Sequence, residues 1–199
     1  MPDASYSVLA NLQCADGGFA TYSQIGAPHS WNVSHPDVTP VALRAMLTHP
    51  APDQAAIQRG IEYVIRQKTA QGLWNSFWWD SCLYGTAASL SLLAAAGITF
   101  PSPSALTQIE PTNAFETALL MSCLLNVDRD GSRGIIRDLV DQLISQQQPD
   151  GSWLSAPTLR ITRRDCYEPW ASVDAGQLYT EPNRLFTTAT VLNALARAT

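Results

Sequence analysis

Carboxyl and thiol side chains that could do chemistry stand at the beginning of several apolar stretches of the sequence. Asp37 precedes one stretch, Asp80 and Cys82 stand at the start of another, and Glu116 lies early in a third. Carboxyl groups can transfer protons, and Asp and Cys side chains can ligate metal ions. For Asp37 and Asp80 the favoured interpretation is helix capping, because an acidic side chain near a helix N-terminus binds free N–H groups and interacts well with the helix dipole.

A tight cluster of aromatic side chains lies beside these groups and consists of Trp74, Phe77, Trp78, Trp79 and Tyr84. Trp74 follows a glycine turn, so it is expected to fold back over the end of a helix. The remaining rings either pack between helices or line a cavity.

The elements that must position these residues are four helices that share a repeated pattern. In each copy a threonine is followed four residues later by Leu or Met and seven residues later by a second large apolar residue, which marks one helix face. The threonines are Thr39, Thr86, Thr117 and Thr188. The opposite face is also small or apolar, so these helices are expected to be buried on both sides as an inner layer. They are predicted over 38–48, 82–97, 113–126 and 184–198.

A second repeated pattern ends the more polar helices that lie between them. Gln13 to Phe19 and Gln147 to Trp153 both read Gln-x-x-Asp-Gly-x-aromatic, and 68–74 is a weaker copy. Glycine permits the left-handed backbone that ends a helix. The preceding helices are amphipathic and are predicted as an outer layer over 4–13, 53–68, near 104–109 and 134–148. The predicted fold class is therefore all-α, an arc of about four helical hairpins in one domain over 1–199, with no strand of useful length.

Composition and charge exclude several classes of function. The 199 residues are 46 % hydrophobic and 15 % charged, with a net charge of −5. Nucleic acid is not an expected partner, since a phosphate backbone requires clustered positive charge, and the small group Arg160, Arg163 and Arg164 is interpreted as a solvated loop. No apolar stretch reaches the roughly 18 residues of a membrane span, and no signal peptide is visible. We expect a cytoplasmic protein that is at most peripheral to a membrane.

The repeats resemble those of the α/α-toroid superfamily of squalene–hopene cyclases and protein prenyltransferases. The Gln-x-x-Asp-Gly-x-aromatic turn is similar to the QW repeat of that superfamily. The run Gly72-Leu73-Trp74, Trp78 and Tyr84-Gly85-Thr86 is similar to a cyclase pattern and has the same spacing. The resemblance covers nearly the whole chain and implies helices curved around a concave apolar surface. Because a full toroid has more hairpins than are counted here, the resemblance implies an open arc, or one completed by a second copy or another chain.

The resemblance to the cyclases implies roles for residues at the starts of the inner helices. In class II terpene cyclases an Asp in this position protonates an alkene or epoxide. Asp37 occupies the same position, with His35 two residues before it, although the complete acidic motif is absent. In the cyclases aromatic rings line the cavity and stabilise carbocations, which implies substrate contacts for Trp78, Trp79 and Tyr84.

The resemblance to the prenyltransferases implies a different chemistry. Those enzymes bind zinc through Asp-x-Cys and a distant His, and Asp80 and Cys82 resemble that pair, so Asp80 is a second catalytic candidate. The position of the distant His holds Phe186, so zinc is disfavoured and no cofactor is expected. Glu116 stands at another inner-helix start and is expected to face the substrate.

Two functions remain open at this level. The first is a terpenoid cyclase-like or prenyltransferase-like protein that binds an apolar isoprenoid in its concavity and cyclises or transfers it. The alternative is a non-catalytic binding or assembly module, or a partner subunit, that keeps the toroid fold without the catalytic motif. The expected partners are an isoprenoid-type small molecule and, where the toroid is completed, a second copy or another chain.

Overall fold

A computed structural model describes residues 2–23 and 26–198, which form two layers of helices and one small β-hairpin. The helices are α1 (Asp3–Ala10), α2 (Val38–Leu47), α3 (Gln54–Arg66), α4 (Cys82–Ala95), α5 (Ala114–Val127), α6 (Arg133–Ser145) and α7 (Leu185–Ala198). Short 3-10 helices span Ser30–Asn32, Ser104–Gln108 and Pro169–Ala171. Strands β1 (Leu159–Thr162) and β2 (Gly176–Tyr179) pair in antiparallel fashion. In this part of the chain no helix is both long and apolar enough to cross a membrane.

The inner layer consists of α2, α4, α5 and α7, as the repeated threonine pattern predicts. Helix α2 packs against α4, α4 against α5, and α5 against α7, so the layer is an arc with α2 and α7 at its two ends. Helices α1, α3 and α6 lie outside it, and the 3-10 helix Ser104–Gln108 packs on α5 in place of a third full outer helix. The expected all-α, toroid-like arc of hairpins is confirmed.

The aromatic turns join the two layers through one recurring hydrogen bond. The backbone N–H of the aromatic residue donates to a repeat threonine hydroxyl, with Phe19 bound to Thr39 at 2.9 Å, Trp74 to Thr86 at 2.9 Å and Trp153 to Thr188 at 3.2 Å. The indole N–H groups of Trp74 and Trp153 donate to the carbonyls of Val64 and Leu143 in the preceding outer helices. Each turn therefore ties an outer helix to the next inner helix, and all three rings are buried.

The leucine that follows the repeat threonine is covered by an outer helix in the first copy of the repeat and is exposed in the last copy. Leu43, four residues after Thr39, is fully buried beside Gly60 of α3, the outer helix that follows α2. Leu192 holds the same repeat position in α7 and is 52 % exposed. Since the two positions obey one pattern, the difference arises because no described helix packs beyond α7.

The expectation that the chain contains no strand is wrong for the long loop between α6 and α7. This loop contains β1 and β2, and it packs on the segment that leads into α4. Arg160 N donates to the Trp78 carbonyl at 2.7 Å, and the Thr162 hydroxyl donates to the Phe77 carbonyl at 2.9 Å. The hairpin therefore supports residues 77–80 from outside and helps to place their side chains.

Candidate functional site

The four inner helices line an open, concave cavity of about 570 Å³. Its lining includes Val41 and Arg44 from α2, Tyr84 from α4, Leu119 from α5, and Phe186 from α7. A second cavity of about 350 Å³ adjoins it and shares Tyr84 and Val41. Asp37, Trp78 and Trp79 line this second cavity. Both volumes are in the range of small-molecule sites in proteins.

Asp37 places a buried carboxyl group at this second cavity. Its side chain is 1 % exposed, and Oδ2 accepts hydrogen bonds from the backbone N–H groups of Phe77 and Trp78, both at 2.9 Å. The other oxygen, Oδ1, is buried and has no hydrogen-bond partner among the described residues. Burial raises the pKa of Asp37 from 3.8 to about 6, against the lowering effect of the N–H donors.

Asp37 stands at the N-cap position of α2, as the capping interpretation predicts, but its side chain makes no cap hydrogen bond to that helix. Packing brings residues 77 and 78 over the carboxyl group, and their N–H groups bind it instead. Near pH 6 both charge states of Asp37 are populated, so the group can give up a proton beside the cavity and the resulting carboxylate still has two N–H donors.

His35 holds the segment that binds Asp37. Its Nε2 lies 2.7 Å from the Ser30 carbonyl, and its Nδ1 lies 2.9 Å from the hydroxyl of Thr21, which also accepts a hydrogen bond from the Trp78 indole. Its ring stacks on Phe77 with 4.0 Å between centroids. Burial lowers the pKa of His35 to about 4, so the imidazole is neutral at pH 7. His35 is thus a positioning residue for the loop that carries the N–H donors.

The predicted aromatic residues lie at the N-terminal ends of the inner helices. Trp79 stacks on Tyr84 with 4.4 Å between ring centroids and on Phe186 with 5.0 Å, and Phe115 lies 5.2 Å from it. Trp78, Trp79 and Tyr84 all line the cavity beside Asp37. Sequence reasoning missed Phe186 as a lining residue and considered it only as the occupant of an expected His position. The π faces of such rings can stabilise positive charge that develops in the cavity.

Asp80 forms an ion pair and does not cap α4. Its carboxylate pairs with Arg160, whose side chain is 8 % exposed, and the cap of α4 is Ser81, which accepts from Leu83 N at 3.2 Å. The interpretation of Arg160 as a solvated loop residue is therefore wrong, because the β-hairpin buries its guanidinium against residues 79 and 80. Burial raises the pKa of the Cys82 thiol, which opposes formation of a metal-binding thiolate. Within residues 2–23 and 26–198, no group of three or more His, Cys, Asp or Glu side chains is arranged to hold a metal ion.

Glu116 has a local structural role in the described chain. Its Oε2 accepts from the backbone N–H and the hydroxyl of Thr112 at 2.9 and 2.8 Å, and its own N–H donates to Asn113 Oδ1 at 3.0 Å. These contacts cap the N-terminus of α5. Glu116 lines neither of the two cavities just described.

Comparison with known proteins identifies relatives that carry the same architecture. No family model matches the chain. The lanosterol synthase erg7B of Aspergillus fumigatus is 28 % identical over 143 residues, which cover 57 % of this chain and 20 % of that protein. The apo structure of the type II terpene cyclase MstE from Scytonema superposes with a TM-score of 0.78 and 25 % identity, over 96 % of this chain and 66 % of MstE. A variant of MstE in complex with its substrate, geranylgeranyl dihydroxybenzoate, also superposes with a TM-score of 0.78 and 25 % identity, over 96 % of this chain and 65 % of that one.

These similarities confirm the resemblance to the squalene cyclase-like superfamily and its α/α-toroid fold. The chain spans a fifth of the lanosterol synthase and just under two thirds of MstE. The fold is that of a terpene cyclase-like protein.

Proposed function

We propose that this protein binds an isoprenoid chain in its concave cavity and starts its cyclisation by protonation from Asp37. The observation that carries the proposal is the Asp37 carboxyl group, which is buried beside an aromatic-lined cavity and has one unpartnered oxygen. The MstE complex with a geranylgeranyl substrate supports the ligand class, since that enzyme shares the fold over nearly all of this chain.

The proposed chemical step requires no redox partner. The Asp37 O–H bond breaks, and the proton adds to one carbon of a terminal alkene, whose π electrons form the new C–H bond. The other alkene carbon becomes a tertiary cation, which an internal alkene attacks to form a ring. The final cation then loses a proton to water, and water returns a proton to the Asp37 carboxylate, so the product is an isomer of the substrate.

The surroundings of Asp37 fit both stages of this step. Backbone N–H groups of Phe77 and Trp78 hold the carboxylate that remains after proton transfer. The rings of Trp78, Trp79 and Tyr84 lie along the cavity wall, where a cation would form in the substrate.

The test compares wild type with Asp37→Asn and with Asp53→Asn as a matched control. Asp53 caps α3 away from the cavity and accepts from Ala56 N, a bond that asparagine can also accept. Purified protein is incubated with geranylgeraniol and with geranylgeranyl dihydroxybenzoate, and isomeric products are measured by mass spectrometry. We expect Asp37→Asn to lose at least about 100-fold in product formation and Asp53→Asn to keep it. Equal turnover by wild type and Asp37→Asn would remove Asp37 from the chemistry.

A second candidate function is assembly with another helical repeat. The observation that favours it is the exposed apolar face of α7, where Leu185 and Leu192 are 71 % and 52 % exposed. A further hairpin of the same repeat would cover Leu192 as α3 covers Leu43 in the first copy. Light scattering tests this function, because the pair Leu185→Glu and Leu192→Glu should convert an oligomer into a monomer. A monomeric wild type at about 100 µM would exclude self-assembly through this face.

A further inference from the structure

The inner layer carries charged side chains at only three positions, although it contains four helices. They are Arg44 in α2, Glu116 in α5 and Arg197 in α7. Both arginines stand in the last turn of their helix, and both line the 570 Å³ cavity. Asp37 immediately precedes α2, so it lies at the other end of that helix. Of the two adjoining cavities, the smaller therefore has an acidic group at the start of α2, and the larger has two cationic groups at the ends of α2 and α7.

Arg44 and Arg197, together with Arg129 from the loop between α5 and α6, are not neutralised within the part of the chain that the structure describes. No Asp or Glu there lies within 4.0 Å of Arg44, Arg129 or Arg197. Arg44 donates to the Ser91 hydroxyl, Arg197 to Asn126 Oδ1 at 2.6 Å, and Arg129 to the Arg197 carbonyl at 3.0 Å. Partial burial, and then repulsion from Arg44 and Arg129, lowers the pKa of Arg197. The protein thus holds cations together at an energetic cost that a bound anion would relieve.

The hydrogen-bonding groups at this end also have an excess of donors. Asn126 lines the cavity, and its Oδ1 accepts from Arg197, which fixes the orientation of the amide. Its Nδ2 is buried and has no acceptor among the described residues. A buried N–H group without an acceptor is unfavourable, and this one adds to the excess of donors around Arg197.

Interaction with the helix dipole explains these arginines only in part. A cation in the last turn of a helix is favourable, which accounts for Arg44 on α2 and Arg197 on α7 separately. It does not account for the position of both arginines on the wall of one cavity. Convergence of like charges on an apolar cavity is typical of a site for an anionic group.

We propose that Arg44 and Arg197 bind the oxyanion headgroup of the isoprenoid substrate, a diphosphate or a carboxylate, at the end of the cavity opposite Asp37. This inference rests on the proposed function and names the substrate class of the same cavity. Seven residues separate Asp37 from Arg44 along α2, which corresponds to about 10 Å at 1.5 Å per residue. The headgroup at the arginines would therefore direct the apolar tail, and its terminal alkene, toward Asp37.

Binding calorimetry with three ligands that share one tail tests this assignment. The ligands are geranylgeranyl diphosphate, geranylgeranoate and geranylgeraniol, and the proteins are wild type, Arg44→Gln, Arg197→Gln and the double variant. Arg137→Gln is the matched control, since Arg137 lies on the outer helix α6 with its side chain 77 % exposed. We expect wild type to bind at least one of the two anions at least tenfold more tightly than the alcohol, which corresponds to about 1.4 kcal/mol. The double variant should lose that preference, and the control should keep it.

The outcomes separate this inference from the proposed function. If wild type binds the alcohol as tightly as both anions, or if the double variant weakens all three equally, the headgroup site is refuted while isoprenoid binding stands. If wild type binds none of the three, both proposals fail. The preferred anion identifies the headgroup as a diphosphate or a carboxylate. If Arg197→Gln does not fold, Arg44→Gln alone provides the test. Arg44 is exposed, so this variant should fold, and it should lose part of the preference for the anion.

Discussion

Asp37→Asn should gain stability relative to the wild-type protein as the pH rises. The Asp37 carboxyl group has a pKa of about 6 in the folded protein and an ordinary value of 3.8. A raised pKa means that the folded state binds the proton more tightly, so the contribution of Asp37 to stability is fully present below pH 3.8 and is lost as the pH rises through about 6. Because asparagine does not titrate, the stability of Asp37→Asn does not decrease in this way as the pH rises.

The size of the effect follows from the two pKa values. The full difference between 3.8 and about 6 corresponds to ~3 kcal/mol at 1.36 kcal/mol per pH unit, and the part that falls between pH 4.5 and 7.5 is ~2 kcal/mol. His35 acts in the opposite direction, because its folded pKa of about 4 lies below the ordinary 6.5 and stability is lost as the pH falls through that range. Since His35 is present in both proteins, its effect cancels in the comparison.

Urea unfolding of wild type and Asp37→Asn at pH 4.5 and 7.5 measures this difference. We expect the free energy of unfolding of Asp37→Asn, relative to wild type, to increase by ~2 kcal/mol between the two pH values. Thr117→Val is the control, because it alters a buried hydroxyl of α5 without changing a titrating group, so its effect should be the same at both pH values. A pH-independent difference for Asp37→Asn would refute the reasoning that burial raises the pKa of Asp37.

Three further predictions concern the turns and the cavity. Gly17 has a φ of +92°, and a Cβ added there would clash with the Arg59 carbonyl oxygen, whereas Gly97 has a φ of +71° and open space around it. Gly17→Ala should therefore cost ~2 kcal/mol more than Gly97→Ala in urea unfolding. Equal costs would contradict the clash. Thr86→Val should lower the free energy of unfolding by ~1–3 kcal/mol, because the buried Trp74 N–H loses its acceptor. Thr107 is exposed, so the control Thr107→Val should change the free energy of unfolding by less than ~0.5 kcal/mol. Thermal unfolding measures both. Trp79→Leu should lower the rate of product formation about tenfold with little change in ligand affinity, because a ring that stabilises a cation acts on the transition state. An unchanged rate would show that Trp79 is a packing residue.

The layers of the fold were predictable because their signals are local. The threonine repeat and its apolar partners specify one helix face, and the Gly-aromatic turns specify where the outer helices end. The structure adds the reason why these two patterns recur together, since the N–H of Phe19 binds the hydroxyl of Thr39 and later copies repeat that bond. The β-hairpin was not predictable from the alternation of its residues, because strands of four residues carry too short a pattern.

The candidate site was only partly predictable, for a different reason. Trp78, Trp79 and Tyr84 were identified as candidate lining residues, and the structure places them around Asp37. The two arginines were missed, although one signal was available: Arg44 and Arg197 are rare charges on nearly uncharged inner helices. Their place on one cavity depends on how α4 and α5 pack between α2 and α7, two helices that lie far apart in the sequence.

The sequence by itself determined the layered helices, the turns that join them and the positions of the inner-helix starts, since all of these follow from spacing within a few residues. Only the tertiary structure decided what Asp37 does there. Its partners, Phe77 and Trp78, are 40 and 41 residues away, and its pKa depends on how completely the fold removes the carboxyl group from water. The same holds for Asp80, whose partner Arg160 comes from the distant hairpin. Capping is a local interaction, whereas burial and charge pairing depend on segments that meet only when the chain folds.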